Sequence, residues 1–558
     1  MRILIVFSRP TFSEEVDYSY NMPLGLMYVS SVVKRAGHDV DVLNLCHRKG
    51  KSIDIIREAL DSADRYDFVC TGGLSIHYKQ VKEVVDCVRA HQSGAGVILG
   101  GGLISSEPEL MLEALKPDFV VIGEGEDTIV ELLSNIENKG NPADVLGVGF
   151  RDLNGTIVIT PARPAIADLD ILPLPDFEGF ELTVLLDNLK PSTSFTYDLF
   201  DNPRAYPLVS SRSCPFRCTF CYHPIGKKYR QRSLDAIMNE LEDAIVRYKI
   251  NIIMIYDELF SIDRERVYEF CRRFKKIQKK TPWEMAWCCQ MRVDRLGDEF
   301  LATMKDAGCY MVSLGFESYS PVVLKSMKKH ITPEQIDNAI HLTMKNQISI
   351  VGNFIFGDKA ETVETVRQTI DYWKKIFHSG IKTGFIQAYP GTWLYHDCIK
   401  RGIIKDKLDF IENHITDIIN MTDSMTEEEF RRLEPELRQL DEDRTRTFLV
   451  ALPLFPKRNS DGDASFSVKC PHCDATSQYK NYGGLTWTTP TLTTFCKHCR
   501  RRFWLASRYH MTSTRIRSIG FLIAYNLLGE TGRNLTRPLR RMIRGYCRFQ
   551  NKKLINGR

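Results

Sequence analysis

The sequence predicts an α/β protein with two parallel sheets, an N-terminal doubly wound sheet and a central partial (β/α)6 barrel, followed by a small cysteine-bearing module and a basic tail. Three observations predict it. Short apolar runs alternate with amphipathic segments over the first 150 residues, six further runs alternate with helical patterns between residues 206 and 392, and two C-x2-C pairs stand 22 residues apart near the C-terminus. At 558 residues the chain also exceeds what one hydrophobic core usually supports.

RILIVFS (2–8), DVDVLNL (39–45), DFVCTGG (67–73), GVILGGG (96–102) and DFVVIGEG (118–125) are short, unbroken and rich in Val, Ile, Leu or Phe, as strands buried on both faces are. Between them PLGLMYVSSVVKRAG, YKQVKEVVDCVRAHQ and PELMLEALK carry helical spacing. Ligands of such a sheet bind outside the carboxyl ends of its strands. Three of those ends carry small residues: Gly72 and Gly73; Gly100, Gly101 and Gly102 with Ser105 and Ser106; and Gly123 and Gly125 around Glu124. Glycine admits a bulky ligand to the backbone and the following helix N-terminus can receive phosphate, although tight strand-to-helix turns explain the same residues. Neither GGGLIS nor IGEGED fits G-x-G-x-x-G, so a nicotinamide cofactor is poorly supported. GVGFRDLNGTIVITP (147–161) reads as a hairpin turning at Asn154 and Gly155, and a proline-rich stretch follows. The expected divisions are 1–145 for the first sheet, 146–205 for hairpin and linker, 206–425 for the barrel, 426–465 for a charged helix and linker, 466–505 for the cysteine module and 506–558 for the tail.

The barrel opens with YPLVSSR (206–212), and SRSCPFRCTFCYHP (211–224) places Cys214, Cys218 and Cys221 in the loop that follows. Three clustered thiolates hold an iron–sulfur cubane one ligand short. A zinc site would need a fourth ligand, for which His223 is the local choice. Further strands are INIIMIYDELF, WEMAWCCQMRVD, GCYMVSLGFES, ISIVGNFIFGD and KTGFIQAYPGT, and functional residues of such a barrel lie at strand carboxyl ends.

Cys214, Cys218, Phe220 and Cys221 match every element of C-x3-C-x-aromatic-C, and here the chain resembles the radical S-adenosylmethionine (SAM) enzymes. The resemblance implies a [4Fe–4S] cluster on the three cysteines, SAM on the open iron, and a 5'-deoxyadenosyl radical released by reductive cleavage. It also implies SAM contacts at Phe220, Asp257, Glu258, Arg292, Glu317, Ser318, Gly357 and Glu361, with Gly352 and Ile355 on the adenine side. An ion pair between Arg292 and Glu317 across the barrel mouth is the structural alternative for those two. MPLGLMYVSSVVKRAGHDV, GGGLISSEPE, DFVVIGEGEDT, YHPIGKKYRQRS and YPGTWLY extend the likeness over about residues 1–430 to the subgroup with a flavodoxin-like cobalamin-binding domain. That implies cobalamin held by Ser75, Gly101, Gly102, Ser105, Gly123 and Glu124. D-x-H-x-x-G, the histidine motif of other cobalamin domains, is missing after the first strand, and His77 is either a cobalt ligand or an ordinary surface or pocket residue. The implied reaction is methyl transfer: one SAM methylates cob(I)alamin, a second gives the radical, and an unactivated carbon receives the methyl group. Cyclisation or rearrangement without methyl transfer is the alternative within the family, and a cobalamin or cluster sensor that binds nucleic acid is the alternative of another class. The family also implies an electron donor such as flavodoxin or ferredoxin; no motif identifies the substrate.

TEEEFRRLEPELRQLDEDRTRTF (426–448) reads as a solvated helical cover on the barrel. Cys470, Cys473, Cys496 and Cys499 then supply four thiolates in two knuckles, the pattern of a zinc ribbon binding Zn2+, with an auxiliary iron–sulfur cluster as competitor. YGGLTW and TTPTLTTF suit its short strands. From Arg500 onward 15 Lys and Arg face Glu530 alone, so the positive charge of the chain belongs to its tail. An anionic membrane surface, a nucleic acid and the acidic body of the protein itself are equal prospects as its partner. The opening MRILIVFSRP has no signal-peptide pattern and no apolar stretch is long enough to span a bilayer, so the expected location is cytoplasmic, with peripheral membrane attachment left open.

Overall fold

The computed structural model describes residues 1–507 apart from 63–64, 92–93, 377–379, 454–455, 484 and 486–491. The basic tail expected from residue 506 therefore lies, from residue 508 on, outside the described residues.

Strands β1 (Arg2–Phe7), β2 (Asp39–Asn44), β3 (Phe68–Gly72), β4 (Gly96–Gly100) and β5 (Phe119–Val121) form a parallel sheet in the order 2-1-3-4-5, the flavodoxin-like arrangement. Alternate residues of β1 enter different cores. Ile3 and Ile5 pack with Val32 and Leu132 from helices on one face, and Leu4 and Val6 pack with Val81 and Val85 on the other. The hairpin at 147–161 forms as β6 (Val148–Arg151) and β7 (Ile157–Ile159), its turn held by Asp152 accepting from the Asn154 and Thr156 amides. It pairs antiparallel with β5 and so extends the first sheet, where the sequence suggested a separate hairpin and linker.

The second sheet runs β8 (Ala205–Leu208), then, beyond the small ribbon β9 (Ser211–Arg212) and β10 (Arg230–Gln231), β11 (Ile252–Ile255), β12 (Ala286–Met291), β13 (Cys309–Glu317), β14 (Ser349–Phe356) and β15 (Ile381–Phe385). Its order is 8-11-12-13-14-15 and every pairing is parallel. Connecting helices start at side-chain caps from Ser233, Asp263, Thr332 and Thr362. One face of the sheet, including Val312, Leu314, Phe316 and Phe354, is buried under those helices. On the other face Gln290 and Asn353 are exposed, which marks the inside of the partial barrel.

The charged helix spans Glu427–Thr447 and is more than a solvated cover. Phe430, Leu433 and Leu437 are buried, Phe430 meets Phe385 of β15 edge-on at 5.6 Å, and Arg444 is enclosed between Trp373 and Trp504. Beyond it come β16 (Leu449–Ala451), β17 (Lys457–Arg458), β18 (Ala464–Lys469), β19 (Thr476–Tyr482), β20 (Leu492–Phe495) and β21 (Arg502–Ala506), in two three-stranded sheets. Of the strand expected at YGGLTW, Tyr482 ends β19 and residues 484, 486 and 487 fall outside the described residues. The module packs under the barrel: Arg502 donates to the Phe195 carbonyl at 2.7 Å and faces the fully buried Asp198 at 3.4 Å, while Lys497 pairs with Asp201 at 3.0 Å. No described helix is long and apolar enough to cross a membrane.

Candidate active site between the two sheets

The carboxyl ends of the two sheets face each other, and the cysteine loop lies between them. Its entry and exit are the paired strands β9 and β10. Arg212 and Arg230 on those strands reach Glu124 at the end of β5 at 3.0 and 2.7 Å, and Arg212 also reaches Glu126 at 2.6 Å. Glu124 accepts as well from the Ile166 amide at 2.7 Å. The Arg230 guanidinium and then Arg212 hold the Glu124 carboxyl below its ordinary range against the burial that opposes them. Glu124, expected on cobalamin, is thus engaged in a buried clasp that fastens the cysteine loop to the first sheet.

Within the loop Cys218 is buried, Cys214 half-buried and Cys221 exposed. A hydrogen bond with Cys221 lowers the pKa of the Cys218 thiol against burial, helped by the ammonium of Lys329 and the guanidinium of Arg292. Arg292 stacks on Phe216 at 3.8 Å and pairs with Asp294 at 2.9 Å. Glu317 pairs with Lys329 at 2.7 Å. The suggested Arg292–Glu317 pair is therefore replaced by two separate ones, because the loop after Ser326 brings Lys329 over β13 before Arg292 can reach across. Glu317 has φ 62°, and its carboxylate and the Lys329 ammonium lie where a side chain at Gly315 would stand. Phe220 packs on the apolar cluster of Ile386 and Leu394.

Asp257 is 1 % exposed and accepts four hydrogen bonds, from the amides and hydroxyls of Ser210 and Ser211. Both oxygens anchor β9, so the neighbour Glu258 is the carboxylate left at the mouth, 3.6 Å from His223. Ser318 bonds Thr369 at 3.2 Å and receives the Ser320 amide. Glu361 accepts the Gly357 amide at 2.6 Å, its other oxygen has no partner among the described residues, and burial pushes its carboxyl up to about 8.

In the first sheet, Gly101 adopts φ 88° where a side chain would meet the Gly73 backbone at 3.0 Å. Ser105 accepts the Gly123 amide at 2.9 Å, Gly123 has φ 81° with open space beside it, and Ser75 is buried at the start of the turn after β3. His77 turns back into that turn, accepting from the Leu74 amide at 3.4 Å, and burial lowers its pKa. Tyr222, which follows the third cysteine, joins the two halves. Its hydroxyl donates to the Gly102 carbonyl at 3.0 Å, and its ring occupies the space a side chain at Gly391 would need. Tyr256 similarly donates to Asn21 of the β1 loop at 3.0 Å. Sequence reasoning missed Tyr222, Lys329, Arg212 and Arg230; Tyr222 and Arg212 flank the cysteine motif and Arg230 stands in the segment after it, but their partners are distant in sequence.

Family profiles match both halves: the Radical SAM superfamily over residues 208–372 and the B12 binding domain over residues 16–133. The chain belongs to the radical SAM superfamily and carries a B12-binding domain. It is 29% identical over 413 residues to uncharacterized methyltransferase PH0819 of Pyrococcus horikoshii, covering 72% of this chain and 84% of that protein. It is 28% identical over 353 residues to the anaerobic magnesium-protoporphyrin IX monomethyl ester cyclase of Rubrivivax gelatinosus, 62% of this chain and 61% of that one. The fold matches the solved structure of TsrM from Kitasatospora setae with cobalamin and a [4Fe–4S] cluster bound at a TM-score of 0.57 and 18% identity, over 71% and 75% of the two chains. Membership makes this an enzyme and implies a [4Fe–4S] cluster with SAM, a cobalamin and a reductant. The residues fit these groups: three thiols in a cationic loop for the cluster, and a glycine cradle with open space at Gly123 for the cobalamin.

A second set of ligands lies in the C-terminal module, where the sulfurs of Cys470, Cys473, Cys496 and Cys499 fall within 4.8 Å of one another. The two knuckles repeat each other. Asp474 and Arg500, each next after the second cysteine, have φ 62° and 58° and donate to the Cys470 and Cys496 carbonyls at 3.0 Å, and the His472 and His498 amides point at sulfur at 3.3 Å. Such donors stabilise thiolates facing one metal ion.

Proposed function

We propose that the protein is a cobalamin-dependent radical SAM methyltransferase acting on an unactivated carbon. The observation that carries this reading is Tyr222 lying on Gly102, since it puts the cysteine loop and the B12-domain loop on one cleft. When bound, the cluster with SAM supplies a hydrogen-abstracting 5'-deoxyadenosyl radical and the cobalamin supplies a methyl group. The chain's own residues bind, orient and exclude water. Cys214, Cys218 and Cys221 hold three irons; Glu258 receives the methionine amino group of SAM and Arg292 its carboxylate, with Phe220, Glu317, Ser318, Gly357 and Glu361 shaping the rest of the pocket. Ser75, Gly101, Gly102, Ser105 and Gly123 cradle the cobalamin, while Asp257 and Glu124 act through the segments they anchor. The C-terminal thiolates hold structural zinc, and the electron comes from a flavodoxin or ferredoxin. Radical cyclisation is the second reading, supported by the likeness to a protein named as a cyclase.

The test is incubation of anaerobically reconstituted enzyme with SAM labelled in its methyl group and a fractionated metabolite pool. The labelled methyl should appear on carbon, with one 5'-deoxyadenosine per methyl transferred. A product with a new ring and no label would favour cyclisation, and neither product in any fraction would contradict both.

A further inference from the structure

We infer that the inner face of the barrel sheet carries an anion site, formed by Lys382 with the amides of Asn353 and Gln290, that recognises a carboxylate or phosphate group of the substrate. The inference rests on the enzyme reading only in taking this face as the substrate chamber. Strand register sets Gly315, Asn353 and Lys382 side by side across β13, β14 and β15, and sets Gln290 beside Ser313 on the same face. Gln290 and Asn353 stand on central strands of a parallel sheet, which are near-continuous in apolar residues, so two amides facing the same side as the ammonium of the edge strand β15 need a reason. All three side chains are exposed, and among the described residues none makes a side-chain hydrogen bond or ion pair. The space before them is open: a side chain at Gly384, the next residue of β15 on that face, would meet nothing within 4 Å.

Among the described residues Lys382 has no carboxylate partner of its own. Arg444 and Arg502 both act on it as cations, and only Asp441 opposes them. Arg444 is matched by Asp441 and Arg502 by Asp198, so each pair closes on itself and the Lys382 ammonium is left as the unmatched charge on this face. Burial, with the two arginines, lowers the Lys382 pKa even though the side chain is accessible, the condition of an ammonium inside a concavity. Cations so placed attract anions strongly, because the low-dielectric walls focus their field. The site also lies at a useful distance from the chemistry. Gly315 underlies the Glu317–Lys329 pair beside Cys218, and two strand spacings of about 4.8 Å separate it from Lys382. A small substrate held by its anionic end at Lys382 would extend its carbon skeleton toward the cysteine loop.

The experiment is lysine acylation of the reconstituted full-length enzyme, read by mass spectrometry with inorganic phosphate, with acetate, or with neither. At anion about tenfold above its Kd, Lys382 labelling should fall about tenfold, while the exposed Lys139 is unaffected. Protection by phosphate alone assigns a phosphate-type group, and protection by acetate alone a carboxylate. Lys382→Gln should remove saturable anion binding and Lys382→Arg retain it, each with the melting profile of the parent. Labelling that neither anion changes, or Lys382→Gln binding both anions like the parent, would overturn the site. Release of 5'-deoxyadenosine by the unmodified enzyme is followed in the same samples: its failure beside intact anion protection would refute the enzyme reading and leave the site standing.

Discussion

Cys218 sits where the loop is most cationic, with Lys329 and Arg292 favouring its thiolate. Alanine at Cys214, Cys218 or Cys221 should each cut bound iron and acid-labile sulfide from about four per chain to a small fraction and abolish SAM cleavage. Assay of iron and sulfide in anaerobic preparations checks this. Glu361 gives a prediction of the opposite kind, about stability. Its folded pKa of about 8 exceeds the model-compound value of 4.5, so the folded protein holds a proton that the unfolded chain releases. Nothing is lost below the lower value; stability falls as pH rises through the window and the loss is complete above about 8, at no more than about 1.4 kcal/mol per pH unit. Glu361→Gln should flatten the dependence of melting on pH across this window, and an unchanged slope would contradict the assignment. The cysteines and the glycines were legible in the sequence because their chemistry admits few other residue types. Asp257 and Glu124 were not: an acid at a strand end reads the same whether it receives a ligand or anchors Ser210 and Arg230.

The ribbon of β9 and β10 carries the cysteine loop, and the first sheet grips it through Glu124, Arg212 and Arg230. Removing one partner of a buried charge pair costs about 3–5 kcal/mol, because the other is left uncompensated. Glu124→Gln should therefore destabilise by an amount of that order in chemical denaturation and speed amide exchange over residues 213–229, while β12 and β13 keep their protection. Unchanged exchange in the loop would mean that the clasp does not hold it. Strand existence and type came through from sequence in both sheets, because buried parallel strands need unbroken apolar runs. Which cation meets which carboxylate did not, since Arg212 and Glu124 stand 88 residues apart and only the packed fold joins them. The helix Glu427–Thr447 was legible as a helix but not as a packed one, since its apolar residues are few and its enclosed Arg444 looks like any surface charge.

Across the whole molecule, the C-terminal module closes the end of the barrel opposite the cleft, with Arg502 three residues past Cys499 and inserted toward Asp198 and Met311. Metal binding there should be felt in the barrel. Cys496→Ser, or removal of the metal by a chelator, should lower the melting midpoint by several degrees and raise amide exchange in both the module and residues 190–202; a change confined to the module would deny the coupling. At the other end the two sheets meet at Tyr222 and at the Glu124 clasp, and the account's central claim is that this cleft performs radical chemistry on SAM. The measurement that tests it most directly is release of 5'-deoxyadenosine from SAM by the anaerobically reconstituted enzyme under strong reductant, beside the Cys218→Ala variant. The account predicts continuing release by the parent and none by the variant. No release from a parent carrying a full cluster, or equal release from both, would contradict it.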